Sequence, residues 1–303
     1  MLSPSTQIVL SGSSGLLGSA LRQALAARDA PVLQLVRRHA AKPGELEWNP
    51  AGEIPVATTQ ALEGHSAAIH LAGASVAGHR WTAAYKREMA ASRVGSTRAL
   101  AKALASLSQP PQTMLVASAV GIYGDRGEEL LDENSAPGTG FLAGVCEEWE
   151  AAAQPAAAAG IRVVNLRFGV VLGQGGALAH IAPVFRLGLG GRLGSGRQWM
   201  SWISLEDAVA AILFALEAPS LAGPVNLTAP CSVTNAEFTH ALARQLHRPA
   251  LLPALAFALR LALGEMADET LLASARVLPA KLTAAGFRFT QPTLKQALAA
   301  ALS

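Results

Sequence analysis

Gly12, Gly15 and Gly18 recur every third residue, with Ser13, Ser14, Leu16 and Leu17 between them. The chemistry such a stretch can do belongs to the backbone. Ile8-Val9-Leu10 before it reads as a buried strand of parallel type, and the Ala/Leu-rich run Ser19 to Ala27 after it as a helix. A strand that breaks into a glycine turn and re-enters as a helix aims free N–H groups and the positive helix end at one point. That is an anion site suited to a pyrophosphate. Glycine is needed where a Cβ would hold the ligand away or strain the turn. The same spacing also serves a plain strand–helix turn, so the neighbouring residues have to decide.

Arg37 and Arg38 are the next candidates, closing the apolar run Val32 to Val36. In a dinucleotide fold the end of this second strand meets the adenosine ribose. An acidic residue there favours NAD, whereas arginine pairs with a 2′-phosphate and favours NADP. No Asp or Glu follows until Glu45, so the reading is NADP(H). The plainer alternative is two arginines solvating a turn. A further strand, Ala67 to Leu71, ends in Ala72-Gly73, small residues that let a cofactor lie close. His70 within it reads as a packed core residue. Asp207, in Ser204-Leu205-Glu206-Asp207, reads as part of a capping box rather than as a catalyst.

Positioning these groups takes alternating strands and helices. Met114 to Ala117, Arg162 to Leu166 and Val225 to Leu227 read as strands. Arg80 to Leu107, Phe141 to Ala159, Ala208 to Leu216, Thr234 to Leu246 and Ala254 to Gly264 read as helices, followed by a mainly helical tail. Pro43 to Glu63 and Asp125 to Gly140 are loop-like. Gly188 to Gly196 reads as a mobile loop over a substrate pocket. The alternation predicts an α/β fold with a doubly wound parallel sheet.

Composition narrows the functional classes. Of 303 residues, 51% are hydrophobic and 15% charged, which fits a compact fold. The formal charge is only +3 and no Lys/Arg run exceeds two residues, so no nucleic-acid surface is expected. Cys146 and Cys231 have no metal-ligand spacing, so neither a metal site nor a disulfide framework is expected, and a cytoplasmic location follows. The opening M-L-S-P-S-T-Q lacks the basic and apolar regions of a secretory leader. Ala250 to Leu263 carries Pro253 and Arg260 and is too short to span a bilayer, so no membrane partner is expected. The expected partner is a small-molecule substrate of unread identity, and a homodimer is compatible with these features.

Several segments together resemble the extended and atypical short-chain dehydrogenase/reductases, within them the epimerase-family subgroup of YfcH-like and SDR family 39U proteins. They are G-S-S-G-L-L-G (12–18), H-L-A-G (70–73), S-A-V-G-I-Y-G (118–124), L-R-F-G-V-V-L-G (166–173), G-L-G-G-R-L-G-S-G-R-Q-W-M-S-W-I (188–203) and V-N-L-T-A-P (225–230). The resemblance implies an NADP-binding Rossmann domain over residues 1–173, with later elements able to rejoin its sheet. It implies a smaller C-terminal α/β substrate lobe over 174–303, including a small family domain at 250–299. Carried over residue by residue, Gly12 to Gly18 hold the pyrophosphate, and Val36, Arg37 and Arg38 meet the adenosine phosphate. Leu71, Ala72 and Gly73 lie along the cofactor, Glu88 and Arg93 contact it, and Val171 lies near the nicotinamide. The subgroup more often has Asn where this chain has His70.

The ordinary mechanism of such enzymes needs Tyr-x-x-x-Lys on the helix after the serine-bearing strand. This chain cannot supply it. Its two tyrosines, Tyr85 and Tyr123, are followed four residues on by Met89 and Gly127, and no lysine lies between Lys102 and Lys281. Counting back from Glu150 places Leu142 and Cys146 at the Tyr and Lys positions. Ser118, with Ala119 as an equal match, and Tyr123 are the remaining candidates for proton transfer. Tyr123 also reads as a packed aromatic. Arg197 could meet an anionic substrate group or pair with a loop carboxylate. Two functions follow. One is an NADP(H)-dependent oxidoreductase or nucleotide-sugar epimerase-like enzyme with a modified site. The other is a non-catalytic NADP(H)-binding or redox-sensing module.

Overall fold

The computed structural model describes residues 6–50, 52 and 54–303; the opening M-L-S-P-S of the leader reading lies outside them. The first half of the chain alternates as its hydrophobic pattern requires. It runs β1 (Ile8–Ser11), α1 (Leu16–Ala26), β2 (Val32–Val36), β3 (Glu45–Glu47), α2 (Val56–Gln60) and β4 (Ala67–His70). α3 (Ala83–Ala90), α4 (Ser96–Ala105), β5 (Thr113–Ala119), β6 (Leu130–Leu131), α5 (Phe141–Ala151), α6 (Gln154–Ala158) and β7 (Arg162–Phe168) follow. The rest comprises β8 (Val170–Gly173), α7 (Gly176–Arg186), β9 (Trp199–Met200), β10 (Trp202–Ser204), α8 (Leu205–Glu217), β11 (Gly223–Leu227) and β12 (Val233–Thr234). It ends with α9 (Asn235–Gln245), α10 (Ala256–Leu263), β13 (Arg276–Val277), α11 (Ala280–Ala284) and α12 (Leu294–Leu302).

Seven strands form one sheet in the order β11-β7-β5-β4-β1-β2-β3. β1 pairs in parallel with both β2 and β4, and Ser11 faces Leu35 on one side and His70 on the other. The chain leaves β1 in one direction through β2 to β3, then crosses back and leaves β4 in the other. The switch point therefore lies between β1 and β4, and a doubly wound sheet opens a crevice for ligands outside the carboxyl ends of those strands. β1 and β4 are buried at every residue, as expected for strands covered on both faces. The doubly wound parallel sheet expected from the sequence is present, and β11, beyond residue 173, does rejoin it.

The described residues form two compact units interleaved along the chain. One comprises residues up to Ser118 with Glu147–Leu166 and Ile212–Val225; the other comprises Ala119–Cys146, Arg167–Ala211 and Asn226–Ser303. The second unit has its own core of Leu172, Phe185, Trp202, Phe238, Leu242 and Leu298, with further residues around them. Its strands make small pairs, β8 with β10 and β6 with β13 in parallel and β9 with β12 antiparallel.

Three local expectations change. The segment Pro43 to Glu63, read as loop, carries β3 and α2; only three residues pair in β3, too few for a visible periodicity. The single helix over Arg80 to Leu107 is interrupted by a π-turn at Ala91–Gly95. There Ser92 Oγ donates to Met89 O (3.1 Å) and Ser96 Oγ to Ser92 O (2.5 Å), hydroxyl back-bonds of the kind that distort helices. Asp207 is not the return half of a capping box. Ser204 Oγ does accept the Asp207 N–H (3.1 Å), but the Asp207 carboxylate accepts from Thr290 N (2.8 Å), Thr290 Oγ1 (2.7 Å) and Gln291 N (3.0 Å). It ties the tail to the start of α8.

Candidate functional site

The β1–α1 turn is shaped by three glycines with three different reasons. Gly12 has φ +74°, and a Cβ on it would come within 2.7 Å of Leu71 C. A Cβ on Gly18 would lie 2.1 Å from Gly12 O, so α1 can cross β1 only without one. Gly15 is unlike both: its Cβ would meet no protein atom nearer than Gly12 O at 3.6 Å. No protein contact therefore requires glycine at this exposed position. Gly15 is also the N-cap of α1, with no side chain capping it and no acidic residue in the first turn. The first-turn amides of Leu16 and Leu17 thus meet no carboxylate there, and the helix end favours an anion. Ser13 is buried and Ser14 exposed beside it.

The β4 end lies directly across the switch point. Leu71 N donates to Ser11 O (3.2 Å), which carries the β1–β4 pairing up to Ala72 and Gly73. A Cβ on Gly73 would meet the Arg93 guanidinium carbon at 3.3 Å. Arg93 donates to Ala74 O (2.9 Å) and Met89 O (3.2 Å), and its guanidinium lies 5.1 Å from the Trp149 ring centroid. The π-turn projects Arg93 onto this strand end, so the interruption of the helix and the placement of Arg93 are one feature. Glu88, on α3, is exposed.

His70 sits under this edge, fully buried, with Nδ1 2.5 Å from Ser11 Oγ and Nε2 3.0 Å from Ser96 Oγ. Ser96 gives its own proton to Ser92 O, so Nε2–H donates to Ser96 and Nδ1 accepts from Ser11. Burial pushes the His70 pKa down to about 4. The imidazole is a neutral strut from the sheet to the π-turn that carries Arg93, in keeping with its reading as a core residue.

The two arginines after β2 part company. Arg38 makes a two-pronged pair with Glu45, Nη1–Oε2 2.9 Å and Nη2–Oε1 2.5 Å. Glu45 also accepts the N–H groups of Ala41 and Lys42. The Arg38 hydrogen bonds, then those from the Ala41 backbone, hold the Glu45 carboxyl at about 2. Arg37 is exposed just past Val36 and makes no hydrogen bond or ion pair among the described residues. Glu45 was the first acid after the strand in sequence. It neutralises Arg38 and leaves Arg37 as the free cation, a pairing across the β2–β3 turn that spacing alone did not show.

At the end of β5, Ser118 is buried and donates to Glu150 Oε1 (2.7 Å) on α5. The helix is docked beside this contact by Trp149, whose Nε1–H donates to Thr97 Oγ1 (2.9 Å). Glu150 fixes the register of α5, and positions four and eight residues earlier on the same face are Cys146 and Leu142. Cys146 is buried with Ile122, Tyr123, Leu131 and Val277. The face that would hold a Tyr/Lys pair is therefore apolar. The N-terminus of α5 is closed by Glu269, whose carboxylate accepts from Phe141 N (3.0 Å) and Leu142 N (3.1 Å).

Tyr123 has no solvent exposure. Its hydroxyl lies 2.8 Å from Asn226 Oδ1 and 2.9 Å from Asp132 O, and accepts from Arg167 Nη1 (2.9 Å). Burial raises its pKa, against the opposing pull of Arg167. Glu133, also buried, accepts from Asn226 N (3.0 Å) and Lys281 N (3.2 Å). Ser118 and Tyr123, the two residues expected to handle protons, are each engaged by separate internal partners. Arg167, Asn226 and Glu150 were missed as those partners, because each arrives from a distant segment with no local motif.

Arg197 is exposed on the wall of a cavity of ≈ 660 Å³ lined also by Glu128, Arg192, Ser195, Trp199 and Thr234. The glycine segment beside it is held rather than free. Gly194 N donates to Ala254 O (2.8 Å), Leu193 N to Asn235 Oδ1 (2.8 Å), and a Cβ on Gly191 would lie 1.9 Å from Leu252 O. The expectation of a loose loop gives way to a backbone clamped by the 250–254 segment. Val171 lies in β8, paired with Ile203 of β10.

Residues 8–227 match the NAD dependent epimerase/dehydratase family, and residues 256–301 match DUF1731, a domain of unknown function. An epimerase family protein of Mycobacterium bovis is 48% identical over 293 residues, covering 96% of each chain. The crystal structure of human epimerase family protein SDR39U1 with NADPH superposes with a TM-score of 0.89 at 33% identity, covering 98% of this chain and 99% of that one. A nucleoside-diphosphate sugar epimerase structure from Corynebacterium glutamicum has 36% identity and a TM-score of 0.81, covering 98% of this chain and 58% of that one.

Proposed function

This chain belongs to the NAD dependent epimerase/dehydratase family, and on that premise we propose that it binds NADP(H) in preference to NAD(H). The observation that carries the proposal is the contrast among the three glycines. Gly12 and Gly18 are explained by protein contacts, whereas no protein contact requires glycine at Gly15, and we read its bare Cα at the helix N-terminus as room for the ligand. The pyrophosphate lies over Gly15 and the first-turn amides of Leu16 and Leu17, with Ser13 and Ser14 at its edge. The adenosine 2′-phosphate pairs with Arg37, next to Val36, while Arg38 stays with Glu45. Leu71, Ala72 and Gly73 flank the dinucleotide, and Arg93 and Glu88 approach it from the α3 side. The human relative crystallised with NADPH supports the same choice of cofactor.

A dinucleotide held this way supplies hydride donation or acceptance. The chain itself lacks the tyrosine–lysine relay, since its α5 face carries Leu142 and Cys146. Ser118 pins α5 through Glu150, and Tyr123 braces Arg167 and Asn226; we assign both to architecture rather than to proton transfer. The first reading is therefore an NADP(H)-binding protein without tyrosine–lysine chemistry. A second reading, an oxidoreductase or nucleotide-sugar epimerase-like enzyme, draws on the cavity at Arg197, where a cationic wall suits an anionic substrate, and on the nucleoside-diphosphate sugar epimerase relative. The test loads purified protein with NADPH and offers carbonyl compounds and nucleotide sugars while cofactor oxidation is followed. Tight binding without turnover supports the first reading. Turnover that survives Tyr123→Phe supports the second and places the proton donor elsewhere.

A further inference from the structure

The pairing of Arg38 with Glu45 is unequal: the acid is anchored and the arginine is not. β2 and β3 lie with Gln34 opposite Glu45 and Val36 opposite Glu47. Between them the chain turns at Gly44, φ +78°, and Gln34 N donates to Gly44 O (2.7 Å). Glu45 fills the inside of that turn. Its carboxylate accepts the N–H groups of Ala41 (3.0 Å) and Lys42 (3.2 Å), and its side chain is only 5% exposed. The Arg38 side chain is 55% exposed and reaches back to it. Nη1 and Nη2 take one carboxylate oxygen each, and Nη1 also donates to His39 O (2.9 Å). The Ala41 and Lys42 amides brace the turn without Arg38, and an exposed ion pair adds little to stability. The consequence of the pair is therefore for Arg38: its charge is compensated and its guanidinium is turned away from solvent ligands. Arg37, one residue earlier, carries its charge free of any partner among the described residues.

Resting on the cofactor reading above, we propose that Glu45 is a specificity-determining residue: it sets the strength of the NADPH preference by withholding Arg38 from the 2′-phosphate. Glu45 touches no cofactor and acts through Arg38, so it is a positioning residue. Two neighbouring arginines at the end of β2 would both be drawn to a phosphate dianion, each able to give it charge-assisted hydrogen bonds. Glu45 satisfies the Nη donors of one of them and cancels its field. The chain then meets the 2′-phosphate with one arginine where its sequence offers two, and the discrimination against NADH is held below what the pair could give. The hold does not relax with pH in the neutral or mildly acidic range. Hydrogen bonds from Arg38, then from the Ala41 backbone, keep the Glu45 carboxyl at about 2, so it stays ionised there.

The test is a double-mutant cycle read in cofactor affinity: NADPH and NADH are titrated into the full chain as wild type, Glu45→Gln, Arg38→Ala and Glu45→Gln/Arg38→Ala. Glutamine keeps a carbonyl oxygen for the Ala41 and Lys42 amides and removes the charge that holds Arg38. Glu45→Gln should bind NADPH about tenfold more tightly, the gain of one charge-assisted contact, and NADH within about twofold of wild type. The gain should vanish in the double variant. A gain that survives the loss of Arg38 would be mere relief of a negative charge and overturns the proposal, as does an NADPH-to-NADH ratio that Glu45→Gln leaves unchanged. Arg38→Ala removes only an exposed side chain and keeps the proposal testable should Glu45→Gln fail to fold. With Glu45 in place it should shift the ratio by less than about threefold; a fall of about tenfold or more would show Arg38 already on the phosphate and overturn the proposal. The cofactor reading itself fails differently, through an Arg37→Ala variant that loses NADPH and NADH equally. A wild type that prefers NADPH through Arg37, with a ratio unmoved by Glu45→Gln, sinks the Glu45 assignment alone.

Discussion

Replacing Arg37 with alanine should separate the two nicotinamide cofactors. Arg37 is exposed and has no partner among the described residues, so its removal breaks no internal contact and the fold should be untouched. What is lost is a charge-assisted contact to the 2′-phosphate, worth about 1.5–3 kcal/mol. That corresponds to a roughly 10- to 150-fold weaker dissociation constant for NADPH. NADH lacks the phosphate, so its affinity should change by less than about twofold. Arg38→Ala is the matched control, because Arg38 is already committed to Glu45; it should cost NADPH affinity much less. The assay is fluorescence or calorimetric titration of each cofactor into wild type, Arg37→Ala and Arg38→Ala at fixed ionic strength, since phosphate contacts are screened by salt. Equal losses for NADPH and NADH in Arg37→Ala, or a larger NADPH loss in Arg38→Ala, would refute the assignment.

Other substitutions probe the surrounding parts. Gly15→Ala should fold with a melting temperature within a few degrees of wild type, because its Cβ has 3.6 Å to the nearest protein atom, yet should weaken NADPH about tenfold or more by filling the anion cradle. Gly18→Ala should instead destabilise the protein by about 1–3 kcal/mol, since its Cβ would sit 2.1 Å from Gly12 O. Tyr123→Phe leaves the buried Arg167 guanidinium without one acceptor; it should cost about 1–3 kcal/mol in a denaturant titration and leave NADPH affinity alone. His70 has a folded-state pKa near 4, below the unfolded value of about 6.5. The unfolded chain therefore takes up the proton first, so stability is fully present above the unfolded pKa and falls as pH drops toward 4, by about 3 kcal/mol in all. His70→Asn should flatten that slope in melting curves between pH 7 and pH 4.

The legible parts of the molecule were those in which the local sequence sets the backbone. Gly12 to Gly18 after a continuous apolar run could be read because strand, turn and helix follow one another without a gap. The same holds for the small residues that end β4. What could not be read arrives from afar. Glu45 claims Arg38 across a turn, Glu269 closes α5 from 128 residues away, and Glu150 meets Ser118 from a different element. None of these carboxylates has a motif, because a hydrogen bond between distant segments leaves no spacing in the chain. Asp207 shows the reverse error. Its local pattern is that of a cap, and half of that pattern is present, but Thr290 and Gln291 hold its carboxylate instead. The π-turn had a local signal in Ser92 and Ser96, which was masked by the helix-forming alanines and charges on either side.

The most direct test of the cofactor proposal is a crystal structure of the protein grown with NADPH. The pyrophosphate should lie over Gly15 against the amides of Leu16 and Leu17, with the 2′-phosphate within hydrogen-bonding distance of the Arg37 guanidinium and Arg38 still paired with Glu45. Density for the dinucleotide anywhere else, or a 2′-phosphate bound by Arg38 with Glu45 displaced, would contradict it.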